Sequence, residues 1–183
     1  MAIHECSPIE RGISIKLHRE AKNLVRTQFY PGVPLGEVYK GFRNEDLQKQ
    51  TFSDNQFDLF ISLDVFEHIP EPVPALREVF RTLKPGGSML CTWPVRKAQV
   101  AAMEYRAKLK PDGSFEHLKE PEYHGNPVDP KGGSLVTVDY GYDVHKLVAD
   151  ANFDTRVYRF ADKRHGILGE YTEVFLCKKS PPL

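Results

Sequence analysis

Apolar residues along this chain fall into short runs with two different periods. Phe57-Asp58-Leu59-Phe60-Ile61-Ser62-Leu63 is almost continuously apolar, the pattern of a parallel strand covered on both faces. It runs straight into Asp64, Glu67 and His68. Pro72 then opens a helix in which Val73, Leu76, Phe80 and Leu83 recur at helical spacing. Lys84-Pro85-Gly86-Gly87 stops it, since proline blocks continuation and glycine takes a sharp reversal. Ser88–Trp93 returns as a second buried strand. Strand, helix and strand over this length predict a right-handed βαβ crossover. Ligands of open α/β sheets bind beyond the carboxyl ends of such strands, so the acids and histidine after Leu63 stand where a site is expected.

The flanking segments extend the pattern. Ala2–Cys6 predicts a first strand, and Ile13, Leu17, Ala21 and Leu24 fit one helical face. Leu24–Tyr30 and Val38–Phe42 predict two more strands. Val144, Leu147, Val148 and Ala151 mark a late helix, with Asn152 suited to a left-handed cap. Thr155–Phe160 and Thr172–Lys178 predict a closing antiparallel pair. Residues 96–136 differ, being rich in proline, glycine and charge. They read as an insertion with one helix at Ala98–Leu109, in the manner of lids and binding loops. The expected architecture is one domain over residues 1–183. Its fold class is α/β, a Rossmann-like three-layer sandwich whose mostly parallel twisted sheet ends in an antiparallel C-terminal strand.

Composition narrows the function. The chain has 183 residues, with 25 basic and 25 acidic side chains, so its net charge is zero. That disfavours a broad electrostatic grip on nucleic acid or an anionic membrane. No apolar run approaches a membrane span, and Met1-Ala2-Ile3-His4-Glu5 does not begin a signal peptide. Cys6, Cys91 and Cys177 form no C-x-x-C pair and sit in strand-like stretches, so they read as reduced core thiols of a cytoplasmic protein. A metal site is not expected. His4, Glu5 and Cys6 alternate faces on a strand, and no H-x-x-x-H pair occurs.

Four further pieces occur in order. They are Asn44-Glu45-Asp46-Leu47, Thr51-Phe52-Ser53-Asp54-Asn55-Gln56-Phe57-Asp58, Asp64-Val65-Phe66-Glu67-His68-Ile69-Pro70 and Leu83-Lys84-Pro85-Gly86-Gly87. Together, over about residues 44–95, they resemble the class I S-adenosylmethionine-dependent methyltransferases, especially those acting on small molecules. The resemblance implies S-adenosyl-L-methionine as cofactor, with Asp46 accepting from the adenine amino group and Leu47 adding its backbone. It puts Leu63, Asp64 and Val65 at the sulfonium end and His68 just beyond. Glu67 reads as structural, its carboxylate satisfying backbone N–H groups at the helix start.

The resemblance breaks at the front. Where the family has a glycine-rich loop, this chain has His4-Glu5-Cys6-Ser7-Pro8-Ile9-Glu10-Arg11-Gly12, and Pro8 offers no N–H. Glu5 matches the acid at the head of that motif, Ser7 supplies a hydroxyl, and Gln28 stands nearest the ribose-binding position. The chain also begins at its first strand, where the family commonly has a covering helix ahead. Three outcomes stay open: cofactor bound through a rebuilt loop, bound with help from a partner or further segment, or not bound.

Methyl transfer is an in-line displacement at an activated carbon, so alignment and exclusion of water matter most. A hydroxyl acceptor also needs a base. His68 and His124, the latter within Glu122-Tyr123-His124-Gly125, are the catalytic candidates. The expected activity is methyl transfer to a small-molecule acceptor such as a sugar or polyol-bearing metabolite, with a homodimer allowed. The rival is a non-catalytic methyltransferase-like module for binding or assembly. A nicotinamide enzyme is disfavoured, because no G-x-G-x-x-G follows a strand.

Overall fold

A computed structural model of the chain describes residues 1–95, 102–170 and 172–180. Its main sheet contains β1 (Ile3–Cys6), β2 (Leu24–Gln28), β3 (Val38–Tyr39), β4 (Phe42–Asn44), β5 (Phe57–Leu63), β6 (Leu83–Thr92), β13 (Phe153–Arg159) and β14 (Glu173–Lys179). The strand order is β13-β14-β6-β5-β1-β2-β4-β3. The pairs among β4, β2, β1, β5 and β6 are parallel, while β14 runs antiparallel to both β6 and β13. This is the mostly parallel sheet with an antiparallel C-terminal strand that the periodicity predicts.

Helix α1 (Gly12–Glu20) joins β1 to β2, and α2 (Pro72–Thr82) makes the expected crossover from β5 to β6. The late helix, α3 (Val144–Asp150), precedes β13, and Asn152 adopts a left-handed φ of 67° just after it. The core lies between the sheet and the inner faces of α2 and α3, where Leu76, Val79, Val148, Phe60, Met89 and Trp93 are buried. On α2 the buried stripe is Ala75, Leu76, Val79 and Thr82, so Val73 and Phe80 lie at its margins. All three cysteines are free and buried, as the core reading requires.

Three expectations are corrected. The strand anticipated at Val38–Phe42 is a hairpin, with Lys40 and Gly41 both at positive φ in its two-residue turn. The stop at Lys84-Pro85-Gly86-Gly87 belongs to β6, because α2 already ends at Thr82. There the β5–β6 register shifts between Phe57 and Leu59. A Cβ on Gly87 would lie 2.9 Å from the Lys84 carbonyl oxygen, so only glycine allows this close approach.

The third correction concerns the helix expected at Ala98–Leu109. Residues 96–101 lie outside the described part, and the rest forms β7 (Glu104–Tyr105) and β8 (Ala107–Leu109). Met103, Tyr105, Ala107 and Leu109 alternate with Glu104, Arg106 and Lys108, a strand period that wins over helical spacing. With β9 (Phe115–His117), β10 (Tyr123–His124), β11 (Ser134–Leu135) and β12 (Val138–Asp139), they build three small antiparallel ladders, β8–β9, β10–β11 and β7–β12. Among the described residues, no helix is long and apolar enough to cross a membrane.

Candidate active site

The chain steps outward from β1 through β2 to β4, then returns to lay β5 and β6 on the other side of β1. The strand order therefore reverses between β1 and β5, the place where an α/β sheet opens a crevice. Cys6 pairs with Ser62, so the ends of the two strands lie side by side. Immediately beyond them Ser7 has φ 47° and Asp64 φ 52°. Left-handed backbone in residues other than glycine is strained, and such strain gathers at binding sites. A cavity of about 500 Å³ opens there between the start of α1 (Ile9, Arg11, Gly12) and Leu63, Asp64, Glu67, His68 and Thr92. A second cavity of about 380 Å³ reaches toward Pro94, Glu122 and Val138, and Asp64, Glu67 and His124 line both.

Local hydrogen bonds hold this mouth. The Asp64 N–H donates to Thr92 Oγ1 at 3.0 Å, and the Thr92 hydroxyl donates to Asp64 Oδ1 at 2.8 Å. Burial pushes the Asp64 carboxyl above the usual carboxylate range, while the Thr92 hydroxyl opposes that rise. Phe66–His68 is a single 3-10 turn clamped by the segment that follows β10. The Thr137 N–H and hydroxyl both donate to the Glu67 carbonyl, at 2.7 and 3.1 Å. The Tyr140 hydroxyl donates to the Phe66 carbonyl at 3.2 Å, and His68 Nδ1 donates to the Leu135 carbonyl at 2.9 Å.

The pairing of β10 with β11 carries His124 to the same place. The His68 and His124 rings meet edge to face with centroids 5.0 Å apart. Glu67 Oε1 lies 3.6 Å from both His68 Nε2 and His124 Nδ1. Glu67 is 1% exposed, and neither carboxylate oxygen has a hydrogen-bond partner among the described residues. It does not cap the turn, contrary to the structural role expected for it. The adjacent Glu67 carboxylate, with Glu122 behind, draws the His124 imidazole above its ordinary range against a desolvation that opposes it.

The other candidates lie elsewhere. Asp46 turns onto its own loop, accepting from the Gln48 N–H at 2.8 Å and the Gln48 side-chain amide at 3.2 Å. Leu47 is buried in the core cluster. Glu5 is buried 4.0 Å from Arg26 Nε, and Arg26 also holds Glu10 at 2.6 Å. Gln28 donates to the Pro8 carbonyl at 3.4 Å, tying β2 to the first loop, and the Ser7 N–H donates to the Thr27 carbonyl at 2.8 Å. Val65 packs half-buried against the core. The structure thus gathers Leu63, Asp64, His68 and His124 on the crevice, and lines it with none of Asp46, Leu47, Glu5, Ser7, Gln28 or Val65. Sequence reasoning missed Arg11 and Thr92 as wall residues. It also missed Glu67 as the centre of the histidine pair, although the D-x-x-E-H spacing was there to suggest it.

Comparison with known proteins agrees with this fold. Residues 13–91 match the family model of the methyltransferase domain. A ubiquinone biosynthesis O-methyltransferase of Pseudomonas fluorescens is 33% identical over 69 residues, which span 35% of this chain and 30% of that enzyme. The chain thus spans less than a third of that relative's length. A glycopeptide N-methyltransferase solved with S-adenosyl-L-homocysteine superposes with a TM-score of 0.61 at 15% identity, over 98% of this chain and 81% of that one. An S-adenosylmethionine-dependent methyltransferase from Mesorhizobium loti gives 0.59 at 15% identity, over 97% and 89%. The domain match over residues 13–91 and the likeness of fold bear out the resemblance to class I S-adenosylmethionine-dependent methyltransferases read from residues 44–95.

Proposed function

We propose that the chain transfers a methyl group from S-adenosyl-L-methionine to a small-molecule acceptor held in the crevice beyond β1 and β5. The observation that carries this reading is the open mouth at the strand reversal, flanked by strained Ser7 and Asp64 and ending in Glu67, His68 and His124. The first loop offers one route to the methionyl carboxylate although Gly12 is its single glycine. Arg11 and the N-terminus of α1 line the cavity, and the Arg11 side chain makes no capping hydrogen bond to that helix end. Gly12, at φ 56°, has nothing within 4 Å of where a Cβ would stand, so its backbone is open to approach.

Within this reading Leu63, Asp64 and Val65 border the sulfonium, while Glu5, Ser7 and Gln28 organise the loop behind the methionyl and ribose parts. Asp46 and Leu47 receive the adenine, for which Asp46 exchanges its bonds to Gln48 for one to the base. His68 and His124 stand at the acceptor end, where either imidazole can take the proton of an acceptor hydroxyl. The polar lining of Asp64, Glu122 and Asp139 suits a hydroxyl-rich acceptor such as a sugar or polyol-bearing metabolite.

Calorimetric titration with S-adenosylmethionine and S-adenosylhomocysteine tests the cofactor. Saturable binding is expected, weakened about tenfold or more in Asp46→Ala, which corresponds to roughly 1.4 kcal/mol. Absence of heat and of thermal shift at millimolar ligand would instead favour a non-catalytic module.

A further inference from the structure

We propose that Glu67, His68 and His124 form a binding site for one divalent transition-metal ion. The trio is the same one placed at the acceptor end above, but the inference rests on its geometry alone. One ligand atom from each residue lies within 4.8 Å of the other two.

The unpartnered carboxylate is the first argument. Glu67 is almost wholly buried, and its carboxylate oxygens accept no hydrogen bond from the described residues. A buried anion without hydrogen bonds is costly unless a cation compensates it. The ring orientations are the second. The Leu135 carbonyl can only accept, so His68 Nδ1 bears a proton, which leaves Nε2, 3.6 Å from Glu67, as the ring's ligand atom. On the other ring, His124 Nε2 lies 3.5 Å from Glu122 Oε1 and Nδ1 lies 3.6 Å from Glu67 Oε1. A proton on Nε2 facing Glu122 leaves the Nδ1 lone pair directed at the same centre. Three acceptors then converge on one point, each histidine backed by an oxygen on its far side. That is how metal-bound imidazoles are oriented.

The spacing fits as well. Tetrahedral bonds of about 2.0–2.2 Å separate neighbouring ligand atoms by roughly 3.4 Å. The two 3.6 Å contacts are already close to that, and His124 is exposed enough to close the wider gap by a small ring rotation. Two imidazoles and one carboxylate suit zinc, cobalt, manganese or iron rather than magnesium or calcium. Three protein ligands leave a coordination position directed into the cavities that Glu67 and His124 line. With the ion bound, the histidines serve as ligands in place of the proton-accepting role proposed above. The competing arrangement is a His124 imidazolium paired with Glu67, which takes up no metal.

The test uses the whole chain stripped with a chelator and titrated with Co²⁺, then with Zn²⁺. One Co²⁺ per chain is expected, with visible absorption that Zn²⁺ abolishes by displacement. His124→Ala and Glu67→Gln should each weaken binding at least tenfold, while His145→Ala, on the exposed start of α3, should leave it unchanged. Circular dichroism melts verify that the variants fold; if Glu67→Gln does not, His124→Ala alone decides. No stoichiometric Co²⁺ uptake, or uptake that persists in His124→Ala, overturns the proposal. Because the readout is the metal itself, the result is independent of whether S-adenosylmethionine binds.

Discussion

At the scale of single residues, the chain keeps several polar groups in its core for different reasons. His4 is fully buried on β1, with Nε2 2.9 Å from Thr27 Oγ1 and its ring against Phe52, Phe57 and Phe60. Burial, helped by the Arg43 charge, lowers its pKa to about 3. The folded state therefore keeps this imidazole neutral while the unfolded chain takes up a proton below its ordinary value near 6.5. Stability is unaffected by this group above that value and falls as pH drops from it toward 3. At about 1.4 kcal/mol per unit, the loss by pH 4 is on the order of 3 kcal/mol. Urea unfolding at pH 7 and pH 4 should show that difference in the native chain and much less of it in His4→Gln. An equal loss in both would assign the acid sensitivity to other groups. Glu67 is the opposite case, a buried carboxylate whose oxygens have no hydrogen-bond partner among the described residues.

At the scale of elements, the β5–α2–β6 unit is nearly self-explanatory. Its strand period, proline start and buried stripe are all present in local sequence, and Phe57–Leu63 forms with the expected limits. The return into β6 depends on Gly87, whose absent Cβ leaves room for the carbonyl oxygens of Lys84, Asp58 and Phe57 at 2.9, 3.2 and 3.2 Å. Those neighbours are backbone and cannot rotate away. Gly87→Ala should therefore cost about 1–3 kcal/mol in thermal or urea unfolding. Gly125→Ala, which meets nothing within 4 Å, should stay within about 0.5 kcal/mol of the native chain. Similar losses at both positions would refute the close-approach explanation. The insertion was misread because Met103–Leu109 supports two periods, and the ladder partners that select the strand period lie farther along the chain.

At the scale of the whole molecule, the sheet order makes the crevice. No single strand holds it: β1 and β5 contribute adjacent ends, α1 a helix start, and the insertion one wall. A ligand bridging these parts binds the folded chain alone and stabilises it by mass action. S-adenosylhomocysteine at a hundred times its dissociation constant should raise unfolding stability by about 2.7 kcal/mol, read as a concentration-dependent rise in Tm. A Tm that does not respond to concentration would exclude this crevice as the cofactor site.

The sequence by itself determined what depends on near neighbours: the β5–α2–β6 crossover, the closing antiparallel pair, the buried thiols and the polar residues just after Leu63 that line the crevice. Period, proline and glycine act within one or two turns of chain, so they are legible without the fold. Only the tertiary structure decided which distant groups meet. His68 and His124 stand 56 residues apart and touch because Leu135, Thr137 and Tyr140 clamp the turn that bears Glu67. Asp46, a cofactor candidate through the resemblance, accepts from the Gln48 N–H in this structure, a local bond that residue spacing does not record. Convergence of this kind is a property of the chain's path through space, which no local pattern records.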